Sequence, residues 1–136
     1  MSDQLARLNR RLAAIPVAVR EAVKPALETS ANEMAEAMRK LAPEDTGALK
    51  DSITVTPGGA TTPAYSQPGG SQKVPENAVA ITAGNSDVRY PHLVEYGTEH
   101  TPPQSFFWSA FRLYRQRAQR RINRAIGKAV REGWTK

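Results

Sequence analysis

Two apolar stripes at helical spacing, one toward each end of the chain, constrain this sequence more than any other feature. Phe107, Phe111, Tyr114, Ala118, Ile122, Ala125 and Ala129 step by four, three, four, four, three and four residues. At about 100° per residue they fall in one sector roughly 80° wide. Leu5, Leu8, Leu12, Ile15, Val19, Val23, Leu27, Met34, Met38 and Leu41 follow mostly the same steps over the first forty residues. Such a face has to be covered, so each stripe marks a long helix with one side given to a core. The spacing predicts an N-terminal helical region over 1–42 and a C-terminal helix over 104–132. Pro16 and Pro25 interrupt the first stripe. An interior proline removes a hydrogen bond and costs about 3 kcal/mol, so a kink or a break is expected at one of them. Pro43 stops the helix, because the residue before a proline disfavours helical backbone.

The segment between the stripes has a different period. Ser52-Ile53-Thr54-Val55-Thr56 and Ala78-Val79-Ala80-Ile81-Thr82-Ala83-Gly84 alternate polar with apolar residues, the signature of half-buried strands. Residues 57–75 separate them with eight Pro or Gly and one charge, Lys73. This loop is too poor in apolar residues to build a core and is expected to be mobile unless a partner orders it. Tyr90 to Thr98 reads as a single helical turn closed by Gly97, where a helix end often takes a left-handed backbone. The chain is thus one α+β domain over 1–136: a long, kinked N-terminal helix, a small antiparallel sheet with a long Pro/Gly-rich loop, a short helix and a long basic C-terminal helix. Two strands alone make a marginal sheet. Either a further strand lies near residues 87–90 or neighbouring subunits complete the structure, and oligomer formation is the favoured reading.

Composition removes several classes of function. The chain has no cysteine, which excludes disulfides, thiol nucleophiles and thiolate metal sites. His92 and His100 are its two histidines, so no metal site and no cofactor is expected. No apolar run reaches the ~18 residues of a membrane span, and the polar start lacks the apolar stretch of a secretory signal.

Charge is unevenly distributed. Net charge is +1 over residues 1–50, −3 over 51–102 and +8 over 103–136. Arg117, Arg120, Arg121, Arg124, Lys128 and Arg131 fall within about 100° of the last helix, opposite its apolar stripe. Charged helix faces are often merely solvated. Six cations with only Glu132 beside them exceed what solubility requires, and guanidinium favours bidentate contact with phosphate or carboxylate. This face is assigned to an anionic contact, either DNA or an acidic neighbour.

Catalytic patterns are weak. Asp45-Thr46-Gly47 is the tripeptide of aspartic proteases, but those enzymes place it after an apolar strand, whereas here Ala42-Pro43-Glu44 precedes it. A turn or helix-capping role fits better. His92 and Glu95, three apart, could form an acid–base pair, yet the surroundings favour a packed or surface histidine. No glycine-rich loop opens a helix, so no phosphate cradle is present. The chain is read as a non-enzyme.

Three blocks together resemble a known family. Leu41 to Ile53, containing Pro43, Asp45, Thr46, Gly47, Leu49, Ser52 and Ile53, resembles one signature of the tailed-bacteriophage neck or tail-completion (head–tail joining) family, proteins like the tenth gene product of a lambdoid coliphage. Tyr90 to Thr98, with Val94, Glu95 and Gly97, is similar to its second signature. Pro103-Gln104-Ser105-Phe106-Phe107-Trp108-Ser109-Ala110-Phe111 resembles the third, with Ser105 and Ser109 where the family often carries proline.

The resemblance implies a structural virion protein of the tail or neck, assembled in the host cytoplasm as a homo-oligomeric ring, commonly a hexamer. Its implied neighbours are the tail tube, the terminator and the head connector or stopper, with DNA passing through and no membrane. A tail terminator ring is the alternative within the same machinery, and a basic nucleic-acid-binding protein the alternative from another class. The block residues are expected to be structural: Gly47 and Gly97 in tight turns, Leu49, Ile53 and Val94 in the core, and Glu95 tethering a backbone amide or an arginine.

Overall fold

A computed structural model of the chain describes residues 2–43 and 47–135, with side chains throughout these ranges except at 2–5, 8–15 and 135. The first helix, α1 (Ser2–Leu41), runs unbroken through Pro16 and Pro25. Both prolines sit at exposed positions, where water can satisfy the carbonyl each one leaves unpaired. The leucines at 5, 8 and 12 and Ile15 lie outside the described side chains. Of the stripe, Met34 and Met38 are buried, together with Ala26, Ala31 and Ala35, while Leu27 is half-buried and Leu41 is exposed.

Their cover is α4 (Phe107–Thr135). Arg121 reaches Ser30, Arg117 reaches Glu33, and Leu113 shares a groove with Leu41. Numbers rise along one helix as they fall along the other, so the pair is antiparallel. Ala110, Ala118 and Ala129 are buried on the α4 side. Small residues on both helices let the backbones approach closely, with ridges of one seated in grooves of the other. The helix spans three residues later at each end than the expected 104–132. At its start the amides of Phe106 and Phe107 are held from outside the helix, and residues 102–106 precede it without regular structure.

Between the two long helices the chain forms α2 (Ala48–Asp51), β1 (Thr54–Pro57), β2 (Val79–Thr82) and α3 (Pro91–Tyr96). The strands pair antiparallel with Val55 opposite Ile81 and Thr54 opposite Thr82. Among the described residues the sheet has these two strands and none at 87–90. That segment is instead a turn in which the Asn85 side chain accepts the amides of Asp87 and Val88. The hairpin gains what a two-stranded ribbon lacks by lying on the core. Val55 and Ile81 pack against a cluster formed by Met34, Met38, Leu49, Ile53, Phe106 and Phe107.

Residues 57–75 carry regular hydrogen bonding that their composition did not suggest. Gly59 donates to Val74, Val74 to Ala60, and Thr62 to Gln72. Thr61 and Lys73 form a bridge, and Gln67 pairs with Ala83 beyond the end of β2. Thr62, Ser66 and Val74 are buried. Thr62 does much of the anchoring: its hydroxyl donates to Gly70 and accepts from Gln72.

Candidate functional site

The three sequence blocks, more than fifty residues apart at their extremes, meet in one cluster. Leu49, Ile53 and Phe106 are at most 3% exposed and Val94 packs beside them. Ser52, also buried, joins the first block to the sheet end: its hydroxyl donates to the Leu49 carbonyl and accepts the Gly84 amide at 3.0 Å. Pro43 is half-buried at the end of α1. Asp45 and Thr46 lie outside the described residues.

Glu95 joins the second block to the third. Its side chain is buried, and one carboxylate oxygen accepts the amides of Phe106 at 3.1 Å and Phe107 at 2.7 Å. Of the two partners considered for it, backbone amides are the ones it holds. The other oxygen accepts the Ser105 hydroxyl, which in turn accepts from Ser109 at 2.8 Å. A carboxylate thus caps α4 from across the fold, satisfying amides that no intrahelical carbonyl can reach and placing negative charge at the positive end of the helix dipole. Ser105 and Ser109 form the outer part of this cap. Sequence reading did not assign them a role, because the carboxylate that Ser105 serves lies ten residues away on another element.

Around this cap the chain turns sharply. Tyr90 and the Gly97 amide close α3, since the Tyr90 carbonyl accepts Leu93 and Gly97 donates to Leu93. Gly97 has φ 78° and ψ 174°, a region that only glycine occupies without strain, and an added Cβ would lie 2.7 Å from the Pro103 nitrogen. Thr98 then organises the next turn by accepting the amides of His100 and Thr101. Gly47, ahead of α2, also has positive φ, but a Cβ there would meet nothing within 4 Å. Aromatic rings continue from the cap along α4. Phe107, Trp108 and Phe111 stack edge-to-face at 5.0 and 5.8 Å, and the Trp108 indole donates to the Tyr96 hydroxyl.

The cationic face divides in two. Arg121 places its guanidinium fork on Glu33 of α1 at 2.8 and 3.1 Å and also donates to Ser30. Arg117 approaches the same carboxylate at 3.4 Å. The hydrogen bond from Arg121, assisted by both positive charges, holds the Glu33 carboxyl below the usual carboxylate range despite its partial desolvation. Arg117 and Arg121 therefore find their anion on α1 of the same chain. Arg120, Arg124, Lys128 and Arg131 lie exposed. Lys128 stands 3.9 Å from Glu132, and Arg124 donates weakly to the Arg120 carbonyl. Glu33 itself was not singled out from the sequence: nothing local distinguishes it from the other acids of α1, and its partner is 88 residues away.

The described residues bring together no catalytic constellation around the histidines. His92 and His100 are exposed, and Glu95 is engaged with amides. Among the described residues no cluster of three or more His, Asp or Glu side chains could hold a metal ion, and no helix is long and apolar enough to cross a membrane.

The three sequence blocks are thus given over to packing and capping, and the exposed cations of α4 lie on the outside. A family model described as "Bacteriophage HK97-gp10, putative tail-component" matches residues 6–97, about two-thirds of the chain. The chain belongs to this HK97-gp10-like family of phage tail components, which is a structural family and not an enzyme class. The match spans α1 to α3 and ends at Gly97, so the arginine-bearing α4 lies beyond it. No curated protein and no solved structure gives a significant match.

Proposed function

We propose that this tail component acts as a ring-forming subunit at the head–tail interface, completing or joining the tail around the DNA path. The observation that carries this reading is the division of labour in the subunit. Leu49, Ile53 and Glu95, within the family match, interlock with Phe106 and the start of α4 beyond it. The remaining binding capacity is an outward arginine stripe and exposed apolar side chains, as assembly requires. A hexamer repeats each stripe six times, and a closed ring uses the same surfaces in every subunit. Its neighbours would be the tail tube and terminator on one side and the head connector or stopper on the other, in particles assembled in the host cytoplasm.

The arginine stripe takes an anion in either of two places, DNA phosphate in the lumen or an acidic protein neighbour. Contact with phosphate would be non-specific and weak enough to release a passing genome. A free nucleic-acid-binding protein is less well supported, because Glu33 neutralises part of the stripe.

Electron microscopy of particles lacking this protein tests the role. Full heads and finished tails that remain unjoined are expected. Overlong tails would assign the chain to tail termination, and normal joined particles would refute a place in the neck.

A further inference from the structure

We infer that the anion bound by the arginine stripe belongs to a second copy of this chain: the α3 surface of one subunit seats in the α1–α4 groove of another. This rests on the homo-oligomer reading above and names the partner of the stripe. The groove, about 660 Å³, lies between the C-terminal half of α1 and the first turns of α4, with Glu33 and Glu36, each paired to an arginine of the same chain, on its α1 wall. Leu113 is 72% exposed and Leu41 46% exposed at its edge. Leu113, Arg117, Arg120 and Arg124 follow one another at steps of four, three and four along a single line of α4, so the apolar edge continues directly into the cations. A DNA backbone gains nothing from an exposed leucine pair. Apolar side chains bordered by arginines are the composition of a protein interface, with a desolvated centre and a charged rim.

The same chain carries the complement. Tyr90, Leu93 and Tyr96 on α3 are 38%, 46% and 68% exposed, although α3 is otherwise packed on the core. Asp87 and Glu99, both exposed, stand three residues outside this patch on either side. With Glu95 buried in the cap, Asp87, Arg89 and Glu99 leave residues 87–99 a net charge of −1 (two acids less one arginine) against +8 for residues 103–136. Joining the two surfaces buries apolar against apolar and sets acidic residues against the stripe. It also covers two exposed patches at once and directs copies toward one another by charge.

The absence of native cysteine makes a clean test possible. Particles are assembled with Leu93→Cys, Leu113→Cys or both, treated with a short bis-maleimide, and resolved by denaturing electrophoresis. The double variant should give covalent species at twice the 14.9 kDa subunit mass or higher, while each single variant stays at subunit mass. Tyr90→Cys with Leu113→Cys is the second pair, should Leu93→Cys impair assembly, and should behave alike. Dimers from either single variant would mean that like surfaces meet, which overturns the proposal. Particles that hold several copies by mass spectrometry yet give no product with either pair also overturn it while leaving the oligomer intact. One copy per particle would refute the homo-oligomer itself. Photocrosslinking of the stripe to genomic DNA without any subunit–subunit product would assign it to phosphate and end the proposal.

Discussion

Replacing Glu95 separates the two parts of the α4 cap. In Glu95→Ala the amides of Phe106 and Phe107 lose their acceptor in a buried setting, and Ser105 loses its partner. Hydrogen bonds to a charged group contribute about 1.5–3 kcal/mol, and loss of a helix cap costs about 0.5–2 kcal/mol. These values overlap, since they count the same bonds, and water entering the space left by the side chain recovers part of the loss. A net cost of about 3 kcal/mol is expected. Glu95→Gln retains the shape and one acceptor oxygen for both amides but removes the charge at the helix N-terminus. That charge is worth about 0.3–1 kcal/mol, and up to about 2 kcal/mol where partly buried. The glutamine variant should therefore lose about 1 kcal/mol. Urea unfolding followed by circular dichroism measures both, with the midpoint falling in the order wild type, Gln, Ala at unchanged slope. At about 2–4 °C per kcal/mol for a chain of this size, the alanine variant should melt roughly 10 °C lower. If both variants unfold within about 0.5 kcal/mol of the wild type, Glu95 is not what anchors α4. If Gln and Ala lose equally, the negative charge is essential to the cap and the acceptor geometry alone is not enough.

Gly97→Val should abolish folding or assembly, because its Cβ would collide with the Pro103 nitrogen in a backbone region closed to valine; expression yield and particle formation check this. Gly47→Ala, which adds only left-handed strain in open space, should cost about 1 kcal/mol and leave assembly intact, as read from the urea midpoint. Glu33 has a lowered carboxyl pKa, so its pairing with Arg121 contributes fully at neutral pH and is lost as pH falls below about 4.5 toward the folded-state value. The stability gap between wild type and Glu33→Gln should be present at pH 7 and shrink by pH 3; an equal gap at both values would refute the pair's contribution. The Thr82 hydroxyl is buried without a partner among the described residues, so Thr82→Val should raise stability by about 1 kcal/mol, and a lower midpoint would show that the hydroxyl is satisfied.

What the sequence made legible follows from the range of the forces involved. The apolar steps of α4 and of the second half of α1 identify both long helices, because amphipathic periodicity is recorded locally. Alternation at Thr54 to Thr56 and Val79 to Thr82 marks both strands for the same reason. Proline, also a local signal, does not break the helix: Pro16 and Pro25 lie within α1 at exposed positions. The order in residues 57–75 was not legible. It rests on backbone pairing of Gly59 with Val74 and of Gln67 with Ala83, and backbone groups leave no trace in composition.

The site divides along the same line. Gly97 could be singled out because it imposes a local demand of backbone shape, whereas Leu49, Ile53 and Phe106 were reached through the family resemblance and are buried in the fold. The arginines could be counted but not allotted, since their geometry depends on which face of α4 meets α1. Periodicity set Arg121 opposite the apolar stripe, yet its long side chain reaches along the helix pair to Glu33. A guanidinium on a flexible stem spans most of a helix radius, so an arginine near the edge of the apolar sector belongs to the intramolecular contact as readily as to the outer face. Arg120 and Arg124, nearer the centre of the polar sector, lack such an acid within the described contacts. The outward charge of this subunit is therefore best located at these two positions. Arg120→Glu with Arg124→Glu should impair assembly while leaving the urea midpoint of the isolated chain within about 0.5 kcal/mol of wild type.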